Sequence, residues 1–283
     1  MNEQNINQTF AHLCQIMERL RSPEGCAWDR EQSLASLKRF LLEETYELLE
    51  TLDENNPKAH CEELGDLLLQ IVFQTEIRKE QGDFTIEDVI LGIAQKLVRR
   101  HPHVFAKETT KPAENAENAL AQWEQIKRQE KPQTSDHSAL NGVSKAMPAM
   151  SRALKISEKA VKVGFEWKSV QDIMQKVDEE WSEFHNAFKH FEQTGGTEEV
   201  ADELGDVFFT LVNVARKLKF DPEELLRAAT HKFERRFRVM ETLVSQNKSI
   251  EELQPDEAEA LWRTAKTFLD NQARLVKTQK TQV

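Results

Sequence analysis

Glycine and proline are scarce in this chain of 283 residues, nine and eight respectively. That excludes a fold rich in tight turns and favours long helices. There is one tyrosine, and runs of valine, isoleucine or threonine are few, which argues against a sheet. No apolar stretch reaches the ~18 residues that mark a membrane helix. The N-terminus, Met1-Asn2-Glu3-Gln4-Asn5, lacks the basic start and apolar core of a secretion signal. The three cysteines, at 14, 26 and 61, form no CxxC pair, so free thiols in a reducing cytoplasm are expected. The net charge of −11 opposes non-specific nucleic-acid binding. It does not exclude a phosphate substrate, because a bound cation reverses the local sign.

What is present is an acidic pattern that occurs twice. Glu43-Glu44-Thr45-Tyr46-Glu47 is followed by Glu63-Leu64-Gly65-Asp66, and Glu179-Glu180-Trp181-Ser182-Glu183 by Glu203-Leu204-Gly205-Asp206. Carboxylates three or four residues apart share one side of a helix. Two such helices packed together gather four carboxylates with no cation among them. That arrangement repels itself unless a hard cation binds, and oxygen ligands suit Mg²⁺ or Mn²⁺.

The duplication extends further. Glu43 and Glu179 are 136 residues apart, and Glu63 and Glu203 are 140 apart. Gly25-Cys26-Ala27-Trp28 corresponds to Gly164-Phe165-Glu166-Trp167, Lys96-Leu97-Val98-Arg99-Arg100 to Lys232-Phe233-Glu234-Arg235-Arg236, and Trp123 to Trp262. Landmarks in one order at a nearly constant offset indicate tandem duplication of a domain-sized unit. The expected organisation is a first repeat over 1–129, a linker over 130–144 holding Pro132 and Asn141-Gly142, a second repeat over 145–270, and a polar tail over 271–283 that frays. A further loop is expected over 106–116.

Periodicity predicts an all-α fold of tandem helical bundles, with helices in the second repeat near 147–162, 169–191, 197–219, 222–246 and 255–270. Ile173, Val177, Trp181, Phe184 and Phe188 form one expected core stripe, and Val200, Leu204, Val207, Phe208 and Leu211 another. Glu180 falls about 60° and Glu183 about 120° to one side of the first stripe, while Glu179 points nearly opposite. Glu203 and Asp206 flank the second. The first repeat has the same layout, with Glu44, Glu47, Glu63 and Asp66.

Each motif has an ordinary reading. EExxE alone is a solvated acidic face; two copies, each joined to ELGD and a basic helix, point to a site. Gly65 and Gly205 each cost a helix about 1 kcal/mol relative to alanine, which suggests a functional role or close helix packing. Lys232, Arg235 and Arg236 suit phosphate oxygens, or else pair with local glutamates. Trp262 stacks on a base or fills the core. His101-Pro102-His103 reads as a helix stop rather than a metal site.

The combination resembles the MazG-type nucleoside triphosphate pyrophosphohydrolases, all-α NTP pyrophosphatases. The phrases LEETYELL, EELGDLL, RRHPHVF, WEQIK and KFERRF are similar to two-domain bacterial members, over nearly the whole chain. The resemblance implies Mg²⁺-dependent hydrolysis of NTPs or dNTPs to monophosphate and pyrophosphate, a homodimer, and control of nucleotide pools. It also implies metal ligands at Glu180, Glu183, Glu203 and Asp206, phosphate contacts from Lys232, Arg235 and Arg236, and a nucleotide contact from Trp262. Glu179 matches the motif, but the wheel turns it away. Its role is open between supporting the ligands and reaching around the helix.

Both repeats keep all four acids, so other positions must separate them. Lys176 aligns with Phe40 and Asn213 with Phe73, and Pro102 stops the helix after Arg100. The second repeat is therefore expected to be the principal active domain, with Lys176 and Asn213 among its substrate contacts. The first repeat, with Lys96, Arg99 and Arg100, is a structural or secondary site. The expected reaction is cation-assisted attack of water on the α-phosphorus, a carboxylate taking the proton. Broad base tolerance is expected, since no motif reads a base edge. A non-catalytic helical adaptor using its acidic faces is the alternative. A di-iron bundle is disfavoured because Glu-x-x-Asp stands where Glu-x-x-His is wanted.

Overall fold

The structure, a computed structural model, describes residues 3–54, 56–106, 114–130, 138–244 and 250–280. Among these the chain is helical, with no strand. It forms two compact units, residues 1–133 and 134–283.

The first unit contains α1 (Glu3–Arg21), α2 (Ala27–Glu31), α3 (Leu37–Glu54), α4 (Pro57–Glu80), α5 (Ile86–Arg100), α6 (Pro102–Phe105) and α7 (Ala116–Gln129). Asn56 accepts from the amides of Lys58 and Ala59, and Pro57 follows at the first helical position, so α4 starts where its sequence dictates. Met17, Leu37, Val72, Phe73 and Ile77 form the core, with Phe40 packed at its edge. The His-Pro pair ends α5 at Arg100, as expected, and a single turn, α6, follows.

The second unit contains α8 (Ala149–Lys162), α9 (Val170–Thr194), α10 (Glu198–Lys217), α11 (Pro222–Leu243), a 3₁₀ turn (Ile250–Glu252) and α12 (Pro255–Lys280). Ser169 and Asp172 close a reciprocal capping box at the start of α9. Asp221 caps α11, with Pro222 at its first position. The α9–α10 hairpin is the backbone of the unit, with α8 packed on α10 and α12 on α11. Glu166, in the turn before α9, takes both guanidinium nitrogens of Arg216 at 2.8 Å. That pairing, chiefly the hydrogen bonds from Arg216, holds the Glu166 carboxyl down at about 2.

The matched glycines before the two tryptophans serve different needs. A Cβ on Gly25 would lie 2.2 Å from the Leu20 carbonyl oxygen, whereas Gly164 adopts a φ of 94°. Gly65 and Gly205 correct an expectation. Among the described residues a Cβ on either meets nothing within 4 Å, so close approach of two helices there does not explain them.

Other expectations are corrected too. The last helix runs to Lys280, past the expected end at 270, because 271–280 contains neither glycine nor proline to stop it. Residues 107–113 of the expected loop, 131–137 of the expected linker, 245–246 of the expected fourth helix and 281–283 of the expected tail lie outside the described residues. In the core, Ile173 and Val207 are buried as expected, but Trp181 (50% exposed), Phe188 (40%), Phe208 (51%) and Leu211 (46%) are not. Each stripe extends past what its neighbours among the described residues of the second unit cover.

Candidate active site

In the second unit α9 presents Glu180 and Glu183, and α10 presents Glu203. One carboxylate oxygen from each lies within 4.8 Å of the others. Glu180 is buried, Glu203 half-buried, and Glu183 and Asp206 exposed. Burial pushes the Glu203 carboxyl above its usual range, reinforced by the charges of Glu183, Asp206, Glu180 and Glu199. The four acids named from the sequence thus share one electrostatic neighbourhood.

The first unit gathers a related trio, Glu44, Glu63 and Asp66, whose oxygens also lie within 4.8 Å of one another; Asp66 takes part there in place of Glu47, the counterpart of Glu183. Burial, then the charges of Asp66, Glu47, Glu63 and Glu43, raise the Glu44 carboxyl. Burial, then Glu47 and Asp66, raise Glu63, and its Oε2 is buried without a partner. Carboxylates that raise one another, with an orphaned oxygen among them, fit a hard divalent cation.

The expectation that no cation lies among the acids fails in the second unit. The Lys176 ammonium sits 2.8 Å from Glu179 Oε1 and 2.8 Å from Glu180 Oε1. Those hydrogen bonds raise the Lys176 ammonium well above its ordinary value. They also define Glu179. Its side chain, 58% exposed, reaches along the helix to share this lysine with Glu180.

Asn213 is a second correction. It was expected on the cleft face, but it is 1% exposed. The hydroxyl of Ser157 on α8 donates to Asn213 Oδ1, and Asn213 Nδ2 donates to the Phe209 carbonyl at 3.0 Å. Asn213 aligns with the core residue Phe73, and Ser157 stands 140 residues after Met17, the same offset. The first unit therefore fills this place with an apolar pair and the second with a hydrogen-bonded pair. Ser157 carries no local signal in the sequence, because its partner lies 56 residues away on another helix. Ser157→Ala leaves a buried amide oxygen without its donor. We expect urea unfolding of the second unit to weaken by about 1–3 kcal/mol, and Ser157→Met with Asn213→Phe to recover part of that loss.

The basic helices differ sharply. Lys232 and Arg235 on α11 are exposed and pair with no acid among the described residues, while Arg236 lies 3.8 Å from Asp270. Phe233, between them, contacts Trp262 at a centroid distance of 5.0 Å, so Trp262 packs on α11. In the first unit Arg99 and Arg100 both bind Glu130, at 2.5 and 2.6 Å. Arg100, then Arg99, hold the Glu130 carboxyl down at about 2. Arg100 also lies over the Trp123 ring, 5.3 Å from its centroid. Glu130 was missed because it falls at the edge of the expected linker.

A helical hairpin carrying an acidic cluster, with a basic helix in the same unit and the whole arrangement written twice, defines a class of all-α, carboxylate-centred domains. The model of the MazG nucleotide pyrophosphohydrolase domain matches residues 32–105 and again 168–239. The chain belongs to the MazG family. It is 43% identical over 258 residues to the nucleoside triphosphate pyrophosphohydrolase/pyrophosphatase MazG of Thermotoga maritima, covering 91% of this chain and 95% of that protein. It is 42% identical over 234 residues to the nucleoside triphosphate pyrophosphohydrolase of Escherichia coli K12, covering 82% of this chain and 87% of that protein. The Bacillus subtilis protein YabN is 43% identical over 265 residues, 93% of this chain and 53% of YabN.

Proposed function

We propose that this protein is a nucleoside triphosphate pyrophosphohydrolase. It takes NTPs and dNTPs to the nucleoside monophosphate and pyrophosphate, with Mg²⁺ and in its place Mn²⁺. The observation that carries this reading is the gathering of Glu180, Glu183 and Glu203 within 4.8 Å in a unit whose Lys232 and Arg235 are left exposed. The near full-length identity to proteins named for this activity supports it.

Glu180, Glu183, Glu203 and Asp206 would hold the cation, which when bound neutralises phosphate charge and stabilises the departing pyrophosphate. Lys232 and Arg235, with Arg236 and Lys176, bind phosphate oxygens, and Trp262 borders the nucleoside. Water attacks the α-phosphorus; its oxygen bonds to phosphorus as the α–β bridging oxygen leaves with pyrophosphate. A carboxylate of the cluster takes the proton from water, directly or through a second water. Among the described residues no side chain is identified that reads a base edge, which supports broad base tolerance, and the family supports a role in control of nucleotide pools.

We assign the principal activity to the second repeat, residues 145–270, and a structural or secondary role to the first, residues 1–129. Three free cysteines fit the cytoplasm, and no described helix is long and apolar enough to cross a membrane. The half-exposed Trp181, Phe188, Phe208 and Leu211 support a homodimer in which a second copy covers this face. The acidic charge of the chain disfavours nucleic acid as a partner.

Product analysis tests the reaction. With Mg²⁺ and a panel of NTPs and dNTPs, we expect equal amounts of monophosphate and pyrophosphate by ion-exchange chromatography. Diphosphate with orthophosphate would refute attack at the α-phosphorus, and no turnover under any divalent cation would return the adaptor reading.

A further inference from the structure

We propose that Lys176 is an internal counter-ion of the second carboxylate cluster. It exchanges Glu180 for a nucleotide phosphate, and that exchange couples cation binding to nucleotide binding. The inference rests on the cation-site reading above and adds a regulation to it.

Glu180 is the most enclosed member of the cluster, with its side chain 8% exposed. A carboxylate in such a place needs a positive partner. Lys176, one turn earlier on α9, supplies it from a side chain that remains 35% exposed. The ammonium stands 2.8 Å from the Oε1 oxygen of Glu180, so a divalent cation drawn to that oxygen meets a like charge at close range. Its neighbour Glu179 is exposed and can hold only part of the ammonium's hydrogen-bonding capacity. A lysine head is a compact charge on a flexible stem, free to turn toward an arriving phosphate. A polyphosphate gives it an anionic partner in place of Glu180 and frees that oxygen for the cation. Each ligand therefore strengthens the other, by the same factor in both directions.

The first unit is the internal comparison. Phe40 stands at the position of Lys176 and packs at the core edge. Among the described residues no ammonium or guanidinium pairs with Glu44, Glu63 or Asp66. The two clusters thus differ by the presence of one cation, and only the second carries the exchange.

The test is direct Mn²⁺ binding by the full chain, read as loss of the free-ion paramagnetic resonance signal. Glu44→Gln with Glu63→Gln, present in every protein compared, isolates the second cluster. Without nucleotide, Lys176→Met should bind Mn²⁺ more tightly by about fivefold or more, the lower end of the range for coupled sites. Calorimetry with an α,β-methylene nucleoside triphosphate then gives the ratio of its affinities with and without Mn²⁺. That ratio should be smaller by a similar factor in Lys176→Met, the nucleotide's own binding of Mn²⁺ being common to both proteins. Lys176→Gln, of similar length and neutral, carries the same test should the methionine variant fold poorly. Unchanged or weaker nucleotide-free binding, or an unchanged ratio, overturns the exchange. If adding Glu203→Gln leaves Mn²⁺ binding unaltered, the cation-site reading itself fails, and the exchange with it.

Discussion

Glu203→Gln should lower pyrophosphate release by at least about 100-fold, the scale on which one electrostatic group in a reaction centre counts, while the helical circular dichroism signal and the unfolding midpoint should be kept or improved. The two halves of this expectation come from one cause. Glu203 is raised by burial and by Glu183, Asp206 and Glu180, so its negative charge costs the cation-free protein energy. The amide keeps the shape and removes the repulsion, which leaves the fold no worse. The same charge is what a divalent cation requires, so the reaction loses what the fold regains. Asp206→Asn should follow the same pattern with a smaller gain in stability, because Asp206 is exposed. Stopped-assay turnover at saturating Mg²⁺, with urea unfolding beside it, separates the effects. Near-normal turnover in either variant refutes the ligand assignment, and loss of activity together with loss of folding refutes the account of the repulsion.

The second large effect is an asymmetry between the repeats. Glu180→Gln with Glu203→Gln should remove nearly all turnover, whereas Glu44→Gln with Glu63→Gln should leave at least about half, since a change outside the working cluster leaves that cluster's own groups intact. The number of acids does not predict the difference, because each unit brings three carboxylates within 4.8 Å of one another. The cations predict it. Arg99 and Arg100 are committed to Glu130, and α5 ends at Arg100. On α11, Lys232 and Arg235 remain exposed and the helix continues to Leu243. A phosphate arriving at the first unit must displace a charge-assisted clasp of three hydrogen bonds, while one arriving at the second finds donors ready. Equal losses from the two double variants would mean two working or coupled sites, and a larger loss from the first pair would reverse the assignment.

The helices and the acid pairs were legible because both rest on local spacing. Four residues make a helical turn wherever a helix lies, so Glu180 and Glu183 could be placed beside each other from the chain alone, as could the stops at Pro102 and the start at Pro222. What escaped depends on which neighbour covers a face. Asn213 was placed correctly on its own helix, but α8 lies over that face and Ser157 meets it. Trp181 and Phe208 read as core because a stripe registers apolarity, not whether this chain or another molecule covers it. Lys176 read as a phosphate ligand because a basic residue beside acids has two uses. Only the 2.8 Å contact with Glu180 reveals the pairing with the cluster. Glu130 lay in a stretch that composition marked as linker, and composition carries no information about ion pairs.

The two ways of filling the space between the paired helices have a consequence for such a chain. A chain written twice can be imagined with segments exchanged between its halves. A crossover between positions 157 and 213 would join Ser157 to a phenylalanine, or Met17 to an asparagine. In the first hybrid the serine hydroxyl loses its acceptor, and in the second an amide lies sealed against a thioether with nothing to donate to it. Both are penalised at the level of folding, before any chemistry is attempted. An exchange between the halves would keep both packings only where the two partners moved together, so Ser157 and Asn213 form a unit that is replaced as a pair.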